Sequence, residues 1–261
     1  MAARYTQGTF CWVELGTPDV KGAKQFYSGL LGWSFDDIPM GPDQFYTMCL
    51  IDKKRVAAMY SLSDGIAPPG APPHWAAYVA VDSADAIADK AAAAGATLIK
   101  EPFDVPEQGR MAVLQDPTGA MFCIWQSENN VGIELKDAPG AWTYGELYTT
   151  DAAKAGTFYS QTFGWTLQQH DMGPMGVYTL FQRPGESDNK GGMMQIGPHM
   201  QGVPSHWLNY FAVTNVDASV EKAKSLGARV QVPPMDIPNI GRFSVITDPQ
   251  GASFAVYTGS H

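Results

Sequence analysis

Two acid–base side chains stand out because each occurs twice at one spacing. Glu14 returns as Glu146 and His74 returns as His206, 132 residues further on in both cases. A carboxylate and an imidazole are the side chains that most readily act as general base and acid near neutral pH. Their structural alternatives are a Glu that binds backbone groups where two modules meet and a His that holds a loop. Arg110 and Arg242 repeat in the same way, and a guanidinium can clamp a ligand carboxylate or carbonyl. The commoner use of such an arginine is an ion pair, for which Asp104 and Asp236, six residues upstream, are candidates. The three cysteines, Cys11, Cys49 and Cys123, form no Cys-x-x-Cys pair, so neither a disulfide framework nor a cysteine zinc site is expected. No Gly-x-Ser-x-Gly element is present, which argues against an esterase-type serine. The Gly191-Gly-Met-Met194 stretch lacks the strand–helix setting of a phosphate loop.

The elements that must position these residues follow from a tandem repeat. Trp12-Val-Glu-Leu-Gly-Thr-Pro-Asp19 matches Tyr144-Gly-Glu-Leu-Tyr-Thr-Thr-Asp151. Phe26-Tyr27 with Gly32-Trp33 returns as Phe158-Tyr159 with Gly164-Trp165, and His74-Trp75 as His206-Trp207. Gly109-Arg110, Asp116-Pro117 and Gly119-Ala120 return as Gly241-Arg242, Asp248-Pro249 and Gly251-Ala252. All of these pairs keep the offset of 132, which marks an internal duplication. Turn-forming residues near 128–140 place the boundary, giving domains 1–130 and 131–261.

Within a half, the hydrophobic period switches in a set order. Residues 11–17 alternate as a strand. Pro18 or Asp19 then opens a helix carrying Val20, Ala23, Phe26, Tyr27 and Leu30, and Gly32 ends it. Strands follow at about 33–37, 45–51 and 55–62. The same order begins again with a strand at 74–81, a helix at 83–94, and strands at 97–100, 110–114 and 120–125. The whole chain therefore reads as four βαβββ modules in an α+β fold.

Composition narrows the partners. At 45% hydrophobic and 16% charged residues, with 27 Gly and 19 Pro, the chain is compact and turn-rich. Seventeen basic against 26 acidic residues leave a net charge of −9, which repels a duplex or an anionic membrane. Neither nucleic acid nor membrane is expected as a partner. No apolar run has the length of a membrane span, and the opening MAARYTQGTF has no apolar leader core. Together with the cysteine usage, this points to a cytoplasmic protein.

These motifs, in this order in both halves, resemble the vicinal-oxygen-chelate superfamily of glyoxalases, bleomycin-resistance proteins and extradiol dioxygenases. The carrying residues are Glu-Leu-x-Thr-x-Asp before an Ala-x-x-Phe-Tyr helix, the Phe-Tyr-x-x-x-x-Gly-Trp exit, His-Trp before a strand, and Gly-Arg followed by Asp-Pro-x-Gly-Ala. Thr150 stands where the first copy has Pro18. Within the superfamily the chain is similar to two-domain actinobacterial glyoxalase-like proteins, some of them named hydroxylases. The resemblance implies two cup-shaped mixed β-sheets with helices outside.

It also implies a divalent metal held by His and Glu from the first, fourth, fifth and eighth strands of a half. Those positions fall here on Trp12, Ala76 and Cys123 in the first half, and on Tyr144, Leu208 and Ala255 in the second. The fourth-strand position falls in Ala57-Ala58-Met59 or Gly192-Met193-Met194. Alanine, leucine and methionine do not hold a hard divalent ion, so no metal of the family type and no other cofactor is expected. A shifted site would have only the Glu and His of each half to draw on.

In family members the first and fifth strands of a half lie side by side, so Glu14 is expected near His74 and Glu146 near His206. Trp12, Tyr46, Tyr78 and Trp125, with Tyr144, Tyr178, Tyr210 and Tyr257, fall on the expected cup faces. They suit a flat ligand, and Arg110 and Arg242 could join them. Three functions follow. The first is capture of a small aromatic or carbonyl-containing molecule without the family metal. The second is a glyoxalase-like lyase, isomerase or hydroxylase using Glu14 or Glu146 with His74 or His206. The third is an interaction protein whose cups are plugged. The duplication makes a monomer as reasonable as a homodimer.

Overall fold

The computed structural model of the chain describes residues 5–65, 67, 70–173, 176–183, 191–200 and 202–260. The first half runs β1 (Phe10–Thr17), α1 (Val20–Leu31), β2 (Ser34–Gly41), β3 (Gln44–Ile51) and β4 (Lys54–Ser61). It continues with β5 (His74–Ala80), α2 (Ala84–Ala93), β6 (Thr97–Val105), β7 (Gly109–Gln115) and β8 (Met121–Ser127). The second half repeats the plan as β9 (Trp142–Thr149), α3 (Ala152–Phe163), β10 (Thr166–Asp171), β11 (Val177–Gln182) and β12 (Gly191–Gln195). It ends with β13 (His206–Ala212), α4 (Val216–Ser225), β14 (Arg229–Ile237), β15 (Gly241–Thr247) and β16 (Ser253–Gly259). This is the α+β duplication read from the sequence. Among the described residues, no helix is long and apolar enough to cross a membrane.

Local chemistry explains the helix limits. Asp19 caps α1 by accepting from the Gly22 N–H, and Asp151 caps α3 by accepting from the Lys154 N–H. Gly32 and Gly164 end the two helices in the left-handed conformation, at φ 75° and 74°, each donating its N–H to the helix. Two strands run further than their sequence suggests. β2 passes through Pro39 and β6 through Pro102. Both are edge strands with irregular register, where the missing proline N–H interrupts no ladder.

The hydrogen-bonded order is β2-β3-β4-β1-β5-β8-β7-β6 in one sheet and β10-β11-β12-β9-β13-β16-β15-β14 in the other. The β1–β4 and β5–β8 pairings are parallel, whereas β2–β3, β3–β4, β6–β7 and β7–β8 are antiparallel.

Contacts divide the chain into two compact units that cut across the sequence repeat. One unit comprises Met1–Trp12, Ala77–Gly132 and Tyr144–Leu208, and the other Val13–Ala76, Ile133–Thr143 and Asn209–His261. Each unit thus draws modules from both halves. In the second unit Tyr27 stacks on Trp33 (5.2 Å between ring centres, 18°) and meets Trp75 edge-on. In the first, Tyr159 stacks on Trp165 (5.7 Å, 18°) and meets Trp207 edge-on. The repeated Phe-Tyr, Gly-Trp and His-Trp signatures therefore supply the aromatic centre of each unit.

Their polar tips are satisfied inside that centre, as buried polar groups require. Trp207 Nε1 donates to the Tyr159 hydroxyl, which donates to Asp116 Oδ2, each over 2.9 Å. The other carboxylate oxygen of Asp116 accepts from the Thr118 and Ala120 N–H groups. The aspartate of the Asp-Pro-x-Gly-Ala motif thus organises its own turn and anchors a helix tyrosine.

Candidate functional site

Glu14 is buried, at 7% exposure, in the middle of β1 and opposite Ala58 of β4. A buried carboxylate needs donors to offset the loss of water. The Tyr46 hydroxyl of β3 supplies one, at 2.7 Å from Glu14 Oε2. Strand alternation explains the meeting, because Met48 pairs with Ala58, placing Tyr46 and Met48 on the face that carries Glu14.

The second half builds a larger cluster. Glu146, at 5% exposure, lies opposite Gly192 of β12. The Tyr178 hydroxyl of β11 is hydrogen-bonded to Glu146 and stands 3.3 Å from the Tyr144 hydroxyl. A Cβ at position 192 would overlap the hydroxyls of both Tyr144 and Tyr178. The missing side chain at Gly192 is therefore what allows two phenols to gather at one carboxylate. Burial pushes the Tyr178 phenol well above its ordinary pKa, and the Glu146 charge pushes it further. Tyr178 is thereby a firm hydrogen-bond donor at neutral pH. The strand register sets Gly192 opposite Glu146 and Ala58 opposite Glu14, so the residues matching 57–59 are 191–193, one earlier than the 192–194 stretch expected from the sequence.

The histidines do not join the carboxylates. His74 Nδ1 donates to the Pro72 carbonyl at 2.8 Å, and its Nε2 faces the Tyr60 hydroxyl at 3.5 Å. His206 Nδ1 donates to the Pro204 carbonyl at 2.8 Å, and its ring stacks on Tyr148 (5.5 Å, 10°). The expected Glu14–His74 and Glu146–His206 pairs are replaced by these contacts. The reason is register: the His74 ring lies over Gly16, one strand repeat, about 7 Å, beyond Glu14.

The arginines belong to the other face of the sheet. Met111 and Val113 pair with Trp125 and Cys123, whereas Arg110 pairs with Gln126, one residue out of phase. Arg110 donates through Nε and Nη2 to Asp85 of α2 and through Nη1 to Asp104, all at 2.8 Å. Arg242 repeats the clamp with Asp217 and Asp236. The ion-pair alternative with Asp104 and Asp236 is what forms, with a helix aspartate added. Asp85 and Asp217 also repeat at 132, which was the available signal for them.

The aromatic candidates separate by exposure. Trp12, Tyr78, Trp125 and Tyr210 are buried, whereas Tyr46, Tyr144, Tyr178 and Tyr257 remain partly exposed. Trp125 and Tyr257 cover glycines: a Cβ at Gly109 or Gly241 would lie 2.7 Å from the respective ring. Their polar atoms bind the backbone at Asn130 and Ile240, so both have structural duties.

The donor set does not fit the metal that the resemblance implies. Trp12, Ala76 and Cys123, and Tyr144, Leu208 and Ala255, occupy its positions. Among the described residues, no three His, Cys, Asp or Glu side chains are grouped as a metal site.

The family description "Glyoxalase/Bleomycin resistance protein/Dioxygenase superfamily" matches residues 9–124 and again 143–256. The chain belongs to this superfamily. It is 40% identical to the Mycobacterium tuberculosis protein named "Putative glyoxylase CFP32", over 97% of this chain and 96% of that one. It is 35% identical to the anthracycline biosynthesis protein DnrV of Streptomyces peucetius, over 97% and 94%. Among solved structures, the 2,3-dioxygenase LapB from Pseudomonas sp. KL28 superposes with a TM-score of 0.67 at 13% identity, covering 98% of this chain and 94% of that one. That likeness is one of fold.

Proposed function

We propose that this superfamily member captures a flat, carbonyl-bearing aromatic molecule without a metal at the family positions. The carrying observation is the tyrosine–carboxylate cluster: the partly exposed Tyr144 and Tyr178 rings gather on one face of the sheet at the buried Glu146 carboxylate, which anchors the Tyr178 hydroxyl. Phenol rings also provide stacking area for a flat ligand. The likeness to an anthracycline biosynthesis protein supports this ligand class, because anthracyclines are planar hydroxylated quinones. The test is quenching of tryptophan fluorescence by alizarin, a dihydroxyanthraquinone, before and after dialysis against a chelator. Saturable quenching that survives chelation is the expected result. Quenching that appears only with added divalent metal overturns the metal-free reading.

A second reading, proton transfer at a carbon beside a carbonyl, is favoured by the same pair. Glu146 would take the proton from carbon, and the Tyr178 hydroxyl would hydrogen-bond to the enolate oxygen that forms. Turnover of a bound carbonyl compound that is lost in Glu146→Gln, with quenching unchanged, supports an isomerase or lyase over simple capture.

A further inference from the structure

We infer that the open edge of β10 pairs with the same edge of a second copy of this chain, antiparallel and about a two-fold axis at Gln169. This is an interaction surface separate from ligand capture and independent of it.

The two sheets end in four edge strands, β2, β6, β10 and β14. An unpaired edge is a template for a further strand, and proteins blunt it with proline and charge. Three of these edges are blunted in that way. β2 has Asp36 and Asp37 close to Pro39, and β6 has Lys100, Glu101 and Asp104 around Pro102. β14 has Arg229, Asp236 and the Pro233-Pro234 pair. β10 reads Thr-Leu-Gln-Gln-His-Asp, without a proline. Its carboxylate, Asp171, stands at the end of the strand and accepts from the Gly173 N–H over 2.8 Å. Every residue of β10 is exposed, the apolar Leu167 to 39%.

The free backbone groups of this edge can be assigned. The register with β11 runs unbroken from Thr166–Gln182 to Asp171–Val177. One step further on, the Met172 N–H donates to the Gly176 carbonyl over 2.8 Å. In an antiparallel pair the residues that exchange bonds alternate along the strand. Thr166, Gln168 and His170 therefore bond to β11 as Met172 does. Leu167, Gln169 and Asp171 turn their N–H and C=O groups away from the sheet.

Those outward residues are self-complementary. Rotation about Gln169 sets Gln169 against the partner's Gln169 and Leu167 against the partner's Asp171, and each pair exchanges both of its backbone bonds. The two carboxamides at the axis each carry a donor and an acceptor. Between these pairs, Gln168 meets the partner's His170, an amide against an imidazole. No like charges stand opposite one another, which matters for a chain of net charge −9. The same operation on β2 about Asp37 would set a carboxylate on its own copy, which is destabilising. Because the surface pairs with itself, the assembly closes at two chains and does not propagate. His170 lies across from Tyr178 on one face of the sheet, so the partner's strand extends the face that bears the phenol cluster.

Sedimentation velocity of the full chain from about 1 to about 300 µM tests the pairing. The native chain is expected to pass from monomer to dimer over that range. Gln169→Pro removes an N–H that points outward and spares the ladder to β11, so it should stay monomeric with an unchanged circular dichroism spectrum. Gln169→Lys sets like charges at the axis. It should weaken association about tenfold at about 0.05 M salt and regain most of the loss at about 1 M. If the proline variant misfolds, the salt-reversible loss in Gln169→Lys still decides. A native chain that is monomeric throughout overturns the proposal. Dimerisation unchanged in Gln169→Lys overturns it by placing the interface elsewhere, and growth beyond the dimer overturns the two-fold arrangement.

Discussion

The Tyr27 hydroxyl, from the first half of the sequence, donates to the Asp248 carboxylate of the second half over 2.9 Å. Trp75 Nε1 donates to the same hydroxyl, also over 2.9 Å. Tyr27 is fully buried and Asp248 nearly so, so this relay is the polar thread through an aromatic core. It ties residues 221 positions apart, and its twin runs from Trp207 through Tyr159 to Asp116.

Tyr27→Phe keeps the ring packing but leaves the Trp75 N–H and one Asp248 oxygen without their partner. Stranded buried polar groups cost about 1–3 kcal/mol. Urea unfolding should show a loss of that size, and Tyr159→Phe should match it. A Tyr27→Phe chain as stable as the native one would show that the relay contributes nothing.

Asp248 gives a pH dependence of definite sign. Burial, its largest influence, raises its pKa above the usual carboxylate range, against the opposing backbone and Tyr27 hydrogen bonds. A raised folded-state pKa contributes stability that is complete below the unfolded pKa and is lost as pH rises through the folded one. The native chain should therefore gain stability relative to Asp248→Asn on acidification from about pH 7 towards about pH 4. Paired denaturation curves at several pH values check this, and a gain on alkalinisation instead contradicts the assignment.

Gly192→Ala tests the phenol cluster. The added Cβ overlaps two hydroxyls, and such overpacking costs about 1–3 kcal/mol. Adding Tyr178→Phe removes one of the clashing oxygens and should recover part of the loss, a coupling that a double-mutant cycle measures. Additive losses would mean that the two positions do not share this space. The opposite change, Ala58→Gly in the first half, should leave alizarin affinity unaltered.

Arg110→Ala and Arg242→Ala should leave alizarin affinity unchanged, because both guanidinium groups are already committed to aspartates. Melting temperatures should fall modestly at low salt, and the difference should shrink at about 1 M salt as the exposed pairs are screened. Loss of quinone quenching in either variant would return the arginines to the ligand site.

The sequence alone determined the duplication, the order of elements and most of their limits. Repeat spacing, Asp19 and Asp151 as caps, Gly32 and Gly164 as stops, and alternation along residues 11–17 are local signals carried by neighbouring residues. The same alternation places Glu14 and Glu146 on the face that bears the candidate aromatics, and the pairing of Arg110 with Asp104 follows from proximity along two adjacent strands. Other relationships depend on register across strands and on contacts between distant segments, and only the tertiary structure decided them. Glu14 meets Tyr46, not His74, because strand pairing sets His74 over Gly16. Gly192 serves as the floor of a phenol cluster because it falls opposite Glu146, a coincidence that no run of residues around 192 announces. Tyr148 and Tyr60 exchange roles between halves for the same reason: a residue's alternation names its face, and only the neighbouring strand names its partner.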